Sequence, residues 1–333
     1  ELVENTESFF DGVEYQLVVY FFDNCKSNVP QVAIAAMEVV VTFIETFFAS
    51  FKKQAELLSN IVLLLISWLA TINDAAVQTW MEGEDEIEIS FHEFATDALI
   101  RLTESVGGTP IKKTLFDAAT AKLQSQLWND RYAGLKALAN CVVPAKFIFK
   151  PALEQLFQTI LGFTSDPHPL VFYTMLELIE EILTAFPRIV RRRYFALIIE
   201  IVIKALNVAV PNVQNKANFV LIALLEDDES TKTLLKPYLQ MVVDGLIRTL
   251  SAATTTDKIA SATLSSLIFV SRITRPDIAA YYPTFSTVVQ HLSQRFPATN
   301  EVAQEIHAKL IELMSLFATL NAEFFPTCRT LLL

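Results

Sequence analysis

Carboxylates and amides at helical spacing are the residues of this chain best suited to binding chemistry. Thr174, Glu177, Glu181 and Thr184 step by 3, 4 and 3 residues and share one helical stripe, opposite Met175, Ile179 and Ile182. Asn215 and Asn218 follow, then the run Glu226-Asp227-Asp228-Glu229; Glu93 and Asp97 lie upstream, Glu305 and Glu312 downstream. Carboxylates accept charge-assisted hydrogen bonds from lysine or arginine. Asparagine both donates and accepts, which suits a peptide backbone. Such a row fits an extended, Lys/Arg-rich peptide. One exposed pair contributes only about 0–1 kcal/mol, so affinity must come from several linked contacts and weaken with salt. Each acid alone also reads as a solvated helix face, and Glu226 to Glu229 as the loop after a helix.

Bond-making chemistry finds no local support. His92, His168, His291 and His307 are scattered, and no HExxH, GxxxxGK[ST] or GxGxxG run occurs. His168 sits between two prolines and reads as a turn residue. Cys25, Cys141 and Cys328 are odd in number and far apart, so neither a disulfide framework nor a zinc site is indicated. The expectation is a protein that is not an enzyme and holds no cofactor or metal.

Composition narrows the class further. The 333 residues include 26 Lys and Arg against 37 Asp and Glu, a formal charge of −11. This balance argues against direct nucleic-acid binding, which needs a basic face, and leaves basic proteins as the partners attracted. Seven glycines and 52 % apolar residues fit neither a turn-rich β fold nor a long disordered tail. The most apolar run, Ile61 to Ile72, has twelve residues, short of the roughly 20 that a membrane span needs. It reads as a buried helix, without membrane insertion.

The elements that would position the row are helices throughout. Phe149, Leu153, Leu156, Phe157, Ile160 and Leu161 mark one helical face, and Val171 to Leu183 repeat the pattern after Asp166-Pro-His-Pro169. The punctuation is periodic. Pro110, Pro151, Pro237, Pro283 and Pro326 open one series of helices at steps near 43 or twice that, with Tyr194 at the midpoint of the long step. A second series runs Pro30, Glu88, Asn129, Pro167, Pro211, Thr255 and Thr299. A period of about 40–47 with two helices per unit defines the HEAT/armadillo class. The chain therefore reads as all-α: one HEAT-repeat solenoid over 1–333, of about seven pairs of A and B helices, curved by stacking. The step from Pro30 to Glu88 is long because of an acidic insert at 73–88, expected as a loop, with Trp80, Glu82, Glu84, Asp85 and Glu86. Long loops in compact repeats are often functional.

Asn129-Asp-Arg-Tyr-Ala-Gly-Leu-Lys-Ala-Leu-Ala139 and Leu161-Gly-Phe-Thr-Ser-Asp-Pro-His-Pro169 resemble the importin-β superfamily of nuclear transport receptors, and its importin-five-like branch most. Leu225-Glu-Asp-Asp228 with Leu235-Lys-Pro-Tyr-Leu239, Ala280-Tyr-Tyr-Pro-Thr-Phe285 and the Trp80 insert fit the same pattern. The resemblance implies a central fragment of such a receptor, lacking the amino-terminal repeats that mainly hold RanGTP. It implies that B helices line the concave side, where Glu93, Asp97, Glu177, Glu181, Asn215, Asn218, Glu226, Asp227, Asp228, Glu305 and Glu312 would meet basic cargo. Ribosomal proteins and histones would be such cargo. The other implied partners are the Ran GTPase, which triggers release, and FG nucleoporins, as the receptor shuttles between cytoplasm and nucleus. One departure stands out: Phe172 occupies a position where such receptors often carry arginine, which puts the inter-repeat Asp–Arg ladder in doubt there. A helical-repeat scaffold for complex assembly, without any link to Ran, is the alternative.

Overall fold

A computed structural model describes Phe10 and residues 12–72, 74–82, 91–225, 229–252, 256–297 and 300–320. All regular structure among them is helical. Seven helix pairs follow in order: α1 (Glu14–Asn24) with α2 (Pro30–Thr46), α3 (Ala55–Leu69) with α5 (Phe91–Val106), and α6 (Gly108–Leu123) with α7 (Trp128–Val142). Then come α8 (Leu153–Phe163) with α9 (Pro169–Ala185), α10 (Pro187–Leu206) with α11 (Pro211–Leu224), α12 (Leu239–Ser251) with α13 (Asp257–Ile273), and α14 (Tyr282–Arg295) with α15 (Glu301–Leu320). Short helices at Phe48–Phe51, Lys146–Phe149 and Glu229–Leu235 lie in connections, and α4 (Asp74–Met81) lies inside the insert, so the first half of the expected loop is helical.

The chain divides into two compact units, one running to Phe186 and the other from Pro187 onward together with Met81–Gly83. Within the first, B helices pack on B helices (α2 on α5, α5 on α7, α7 on α9), and the A helices α3 and α6 pack on each other. The second repeats this, with α11, α13 and α15 as its B layer and α10, α12 and α14 as its A layer. No helix pair could bury both of its apolar faces alone, so stacking is what makes the core. In α3 that core takes in Leu57, Leu58, Ile61, Val62, Leu65, Ile66, Trp68 and Leu69. Each fully buried leucine or isoleucine contributes about 1.5–3 kcal/mol. Among the described residues no single helix is long and apolar enough to cross a membrane.

Pro110 and Pro283 stand in the first turns of α6 and α14, as expected, Pro326 lies outside the described residues, and two refinements apply. Pro30, Pro169, Pro187 and Pro211 start helices, where the missing N–H is no loss. Pro151 and Pro237 instead sit in 3-10 turns, Lys150–Ala152 and Lys236–Tyr238, that lead into their A helices. Tyr194 does not open a helix: α10 begins seven residues earlier at Pro187, and Tyr194 is buried in its interior. Phe186, off helical geometry at φ −137°, is where α9 stops and sets that earlier start.

Between α5 and α6 the connection is Gly107 alone, at φ +74°, a backbone region that disfavours other residues. Gly108 then packs so closely that an added Cβ would lie 2.7 Å from the Ala145 Cβ. The start of α6 is thereby seated against the turn that follows α7.

Candidate functional site

The B layer carries almost all of the residues expected to bind a partner, but it does not leave their charges open. On α5, Glu93 and Asp97 are exposed, one turn apart, as expected. Asp97 is 3.4 Å from Arg101, which donates to both Glu38 oxygens at 3.0 and 2.9 Å and to Glu45 at 2.9 and 2.7 Å. Arg101 thus ties α2 to α5. Its hydrogen bonds to Glu45, then Glu38, raise its pKa above the ordinary guanidinium value.

Further along, Lys136 of α7 donates to Glu177 of α9 at 2.6 Å, with 14 % and 20 % of the two side chains exposed. Glu177 therefore stands on the expected face, with one oxygen already taken by the chain's own lysine. Its Oε2 is buried and accepts no hydrogen bond. Glu181 is half-buried and Thr184 exposed. Thr174 departs from the expected stripe: it is fully buried and donates to the Leu170 carbonyl at 2.8 Å. It shares a turn-spaced row with buried Leu170 and Leu178, which draws that edge of the stripe into the core.

Trp80 is 5 % exposed and packs edge-on against Tyr173 of α9 at 5.2 Å, one turn before Glu177. The insert helix is thereby anchored beside the expected row. Glu82 is exposed, whereas Glu84, Asp85 and Glu86 lie outside the described residues.

Behind the Lys136–Glu177 pair, His92 and Tyr132 meet in a buried hydrogen bond between the imidazole Nε2 and the phenol. Burial, aided by the charge of Lys136, lowers the His92 pKa to about 4. A neutral buried imidazole resists protonation that the unfolded chain accepts, so the stability it supports is complete above about pH 6.5 and is lost as pH falls toward 4. The expected loss is about 3 kcal/mol by pH 4. Urea unfolding at stepped pH should show that slope in the parent and a flatter one in His92→Gln; parallel slopes would exclude His92 as the source.

An Asp–Arg ladder is present one B helix earlier than the missing arginine. Arg131 of α7 forks onto Asp166 at 2.7 and 3.0 Å, with 15 % and 6 % of the side chains exposed. Asp166 also accepts from the His168 backbone N–H at 2.9 Å. His168 is, as expected, a turn residue: it is the N-cap of α9, its ring stacked on Trp128 at 4.0 Å.

In the second unit, α11, α13 and α15 enclose a groove of about 490 Å³. Asn215 lines it half-buried, with an Oδ1 that accepts no hydrogen bond. Asn218, expected on an open stripe, is fully buried, because its Nδ2 donates to the Gln214 carbonyl and to Thr263 Oγ1 at 2.9 and 3.1 Å. Its Oδ1 likewise accepts nothing. Phe219, 46 % exposed, forms the apolar wall, with the Lys216 ammonium 5.7 Å from its ring centroid.

Glu305 accepts from Lys309 at 2.6 Å and from Ser261 at 2.9 Å, and Lys309 with Ser261 holds its carboxyl below the usual range. Glu312 is bridged to Arg272 of α13. Glu226, Asp227 and Asp228 lie outside the described residues. Among the described residues no group of three His, Cys, Asp or Glu side chains could hold a metal ion.

The residues that single-helix patterning missed are the cations: Arg101, Lys136, Arg272 and Lys309. A signal for each existed: Arg101 and Lys309 stand one turn after Asp97 and Glu305, while Lys136 and Glu177, like Arg272 and Glu312, stand about one repeat apart in sequence.

Helix pairs stacked in A and B layers, with polar ladders along the B layer, define an all-α solenoid of the HEAT type. Its fold is similar to that of the karyopherin Kap121p. The structure of Kap121p bound to Pho4p matches 99 % of this chain with a TM-score of 0.83 at 19 % identity, and that of Kap121p bound to RanGTP matches 100 % with a TM-score of 0.82 at 19 %. The chain covers 32 % and 34 % of those two chains. Residues 28–113 match the family model described as Importin repeat. The importin subunit beta-3 of Saccharomyces cerevisiae is 23 % identical over 296 residues, which is 85 % of this chain and 26 % of that protein. A probable importin-5 homolog of Dictyostelium discoideum is 26 % identical over 140 residues, 40 % of this chain and 12 % of that protein. The chain thus spans about a quarter of the first relative's length and less of the second's.

Proposed function

We propose that this chain is the cargo-binding middle of an importin-five-like nuclear transport receptor, a single solenoid segment that engages Lys/Arg-rich protein segments along its B helices. The observation that carries the reading is the groove of the second unit. There half-buried Asn215 lies beside Glu305 and the exposed ring of Phe219, with Asn218 buried behind it. A carboxylate can accept from a lysine ammonium, and the lysine aliphatic stem packs well on an aromatic face. Glu93, Asp97 and Glu181 supply further negative charge along the B layer of the first unit. Ribosomal proteins and histones have the chemistry this face would select. The complexes of Kap121p with RanGTP, Nup53p and Pho4p support the wider role. In it the longer protein carries cargo between cytoplasm and nucleus, meets FG nucleoporins at the pore, and releases cargo to RanGTP.

The test is anisotropy of a fluorescein-labelled oligolysine localisation peptide titrated with the chain. Affinity should fall at least tenfold between about 50 and 500 mM salt, since screening shortens from roughly 14 to 4 Å. Ala262→Arg, which puts a cation into the groove, should weaken binding about tenfold. Salt-independent binding, or no response to Ala262→Arg, overturns the assignment. For the longer protein, capture that does not depend on GTP-loaded Ran would favour an assembly scaffold instead. The internal pairing of Glu177, Glu305 and Glu312 is the one observation on that side.

A further inference from the structure

We infer that the turn joining α7 to α8 is a docking point for an acidic protein segment that carries a large apolar side chain. Its centre is Phe147, 82 % exposed and the most open large apolar side chain among the described residues. The single helical turn Lys146–Phe149 sets it there. Ile148 and Phe149 are buried: Ile148 lies against Gly108 at the start of α6, and the Phe149 ring meets Phe116 at 5.1 Å between centroids. With those two side chains turned inward, Lys146 and Phe147 must point out. The Ala145 N–H donates to the Cys141 carbonyl at 3.0 Å and the Ile148 N–H to the Ala145 carbonyl at 2.9 Å, so the ring stands on a fixed base. Val143 and Pro151, both exposed, extend the apolar strip to either side.

Charge around the ring selects the occupant. The Lys146 ammonium is 5.7 Å from the Phe147 ring centroid, and Lys150 follows one turn later, exposed. On α6, exposed Lys112 stands between Gly108 and Phe116 in the four-residue row that packs against this turn. Among the described residues neither Lys112 nor Lys150 pairs with a carboxylate. Lys113 holds Asp117 at 2.5 Å, so Lys112, Lys113, Lys146 and Lys150 outnumber Asp117 and Glu154 here, in a chain whose formal charge is −11. Acidic side chains would meet the lysines through charge-assisted hydrogen bonds while their apolar neighbour covers the ring. The reach of the field separates this occupant from larger polyanions. Screening confines it to about 8 Å at physiological salt. A short segment therefore meets the lysines alone, whereas a bilayer or a nucleic acid spans further and meets the chain's excess of acids. A basic segment, the occupant proposed for the Asn215 groove, is repelled here, and this inference does not rest on that reading.

The probe is a fluorescein-labelled Asp-Glu-Leu-Phe-Glu-Asp peptide, compared with Asp-Glu-Ser-Ser-Glu-Asp of equal charge and with uncharged Ser-Gln-Leu-Phe-Gln-Ser. It should bind the chain at least tenfold tighter than either. Phe147→Ser should weaken its binding about tenfold, as should Lys146→Glu combined with Lys150→Glu; all three positions are exposed, so the core is untouched. Ala262→Arg should leave the acidic peptide within twofold, and Phe147→Ser should leave oligolysine within twofold. A photo-leucine version should crosslink within residues 108–116 or 143–151. Equal affinity for either control peptide, no response to Phe147→Ser, or crosslinks confined to other helices overturns the inference. So does Phe147-dependent binding of phosphatidylserine vesicles or oligo-dT in place of the acidic peptide, or a concentration-dependent dimer that Phe147→Ser abolishes. Should Ala262→Arg leave oligolysine binding unchanged, the Asn215 groove falls and this site stands.

Discussion

Replacing Arg131 by methionine should cost the first unit about 3–5 kcal/mol, because it strands Asp166 as an uncompensated, 6 % exposed carboxylate. The guanidinium also donates to the backbone carbonyls of Ser125 and Gln126 at 3.3 and 2.8 Å, so the turn before α7 loosens with it. Asp166→Asn in the same background removes the stranded charge and should recover part of the loss. Urea unfolding read by the fluorescence of Trp128, which stacks on His168 within this turn, would report both effects. A loss under about 1 kcal/mol would show a pair no stronger than a solvated surface bridge.

The second large effect is at Lys136 and Glu177. Either Lys136→Met or Glu177→Met alone should destabilise by about 3 kcal/mol, since each leaves the other charge largely buried; the double substitution should be nearly neutral. The same cycle tests function. With Lys136 gone, an incoming peptide lysine can take its place on Glu177. Oligolysine should therefore bind Lys136→Met more tightly than the parent and restore part of its lost stability. If the substitution leaves peptide affinity unchanged, Glu177 is a structural acid and not part of the cargo row.

Much of the fold is legible in the sequence, because stacked pairs write their period into it. Every helix of the B layer begins within three residues of the position that period marks, and four prolines start helices directly. Tyr194 misled because it falls at the right interval, whereas Phe186-Pro187 holds the actual break. The site was less legible, for a specific reason. Thr174 and Asn218 look like surface residues, yet each gives its hydrogen to the carbonyl one turn back, Leu170 or Gln214, and so enters the core with its donor satisfied. Glu177 was found on the correct face, but a single-helix reading does not see Lys136 on the next helix. Glu38 and Arg101 were harder still, since the insert stretches their separation to 63 residues and hides them from the repeat interval.

The ladders have a mechanical consequence. In the first unit Arg101 with Glu38 and Glu45, Arg131 with Asp166, and Lys136 with Glu177 join one helix pair to the next along the B layer, whereas α3 and α6 of the A layer adhere through side chains such as Leu58, Leu65, Ile111 and Leu115. Dissolved electrolyte relaxes the first kind of bond and tightens the second. Each such stack therefore behaves like a bimetallic strip, its two sides expanding unequally, and its bending stiffness becomes a property of the medium as much as of the chain.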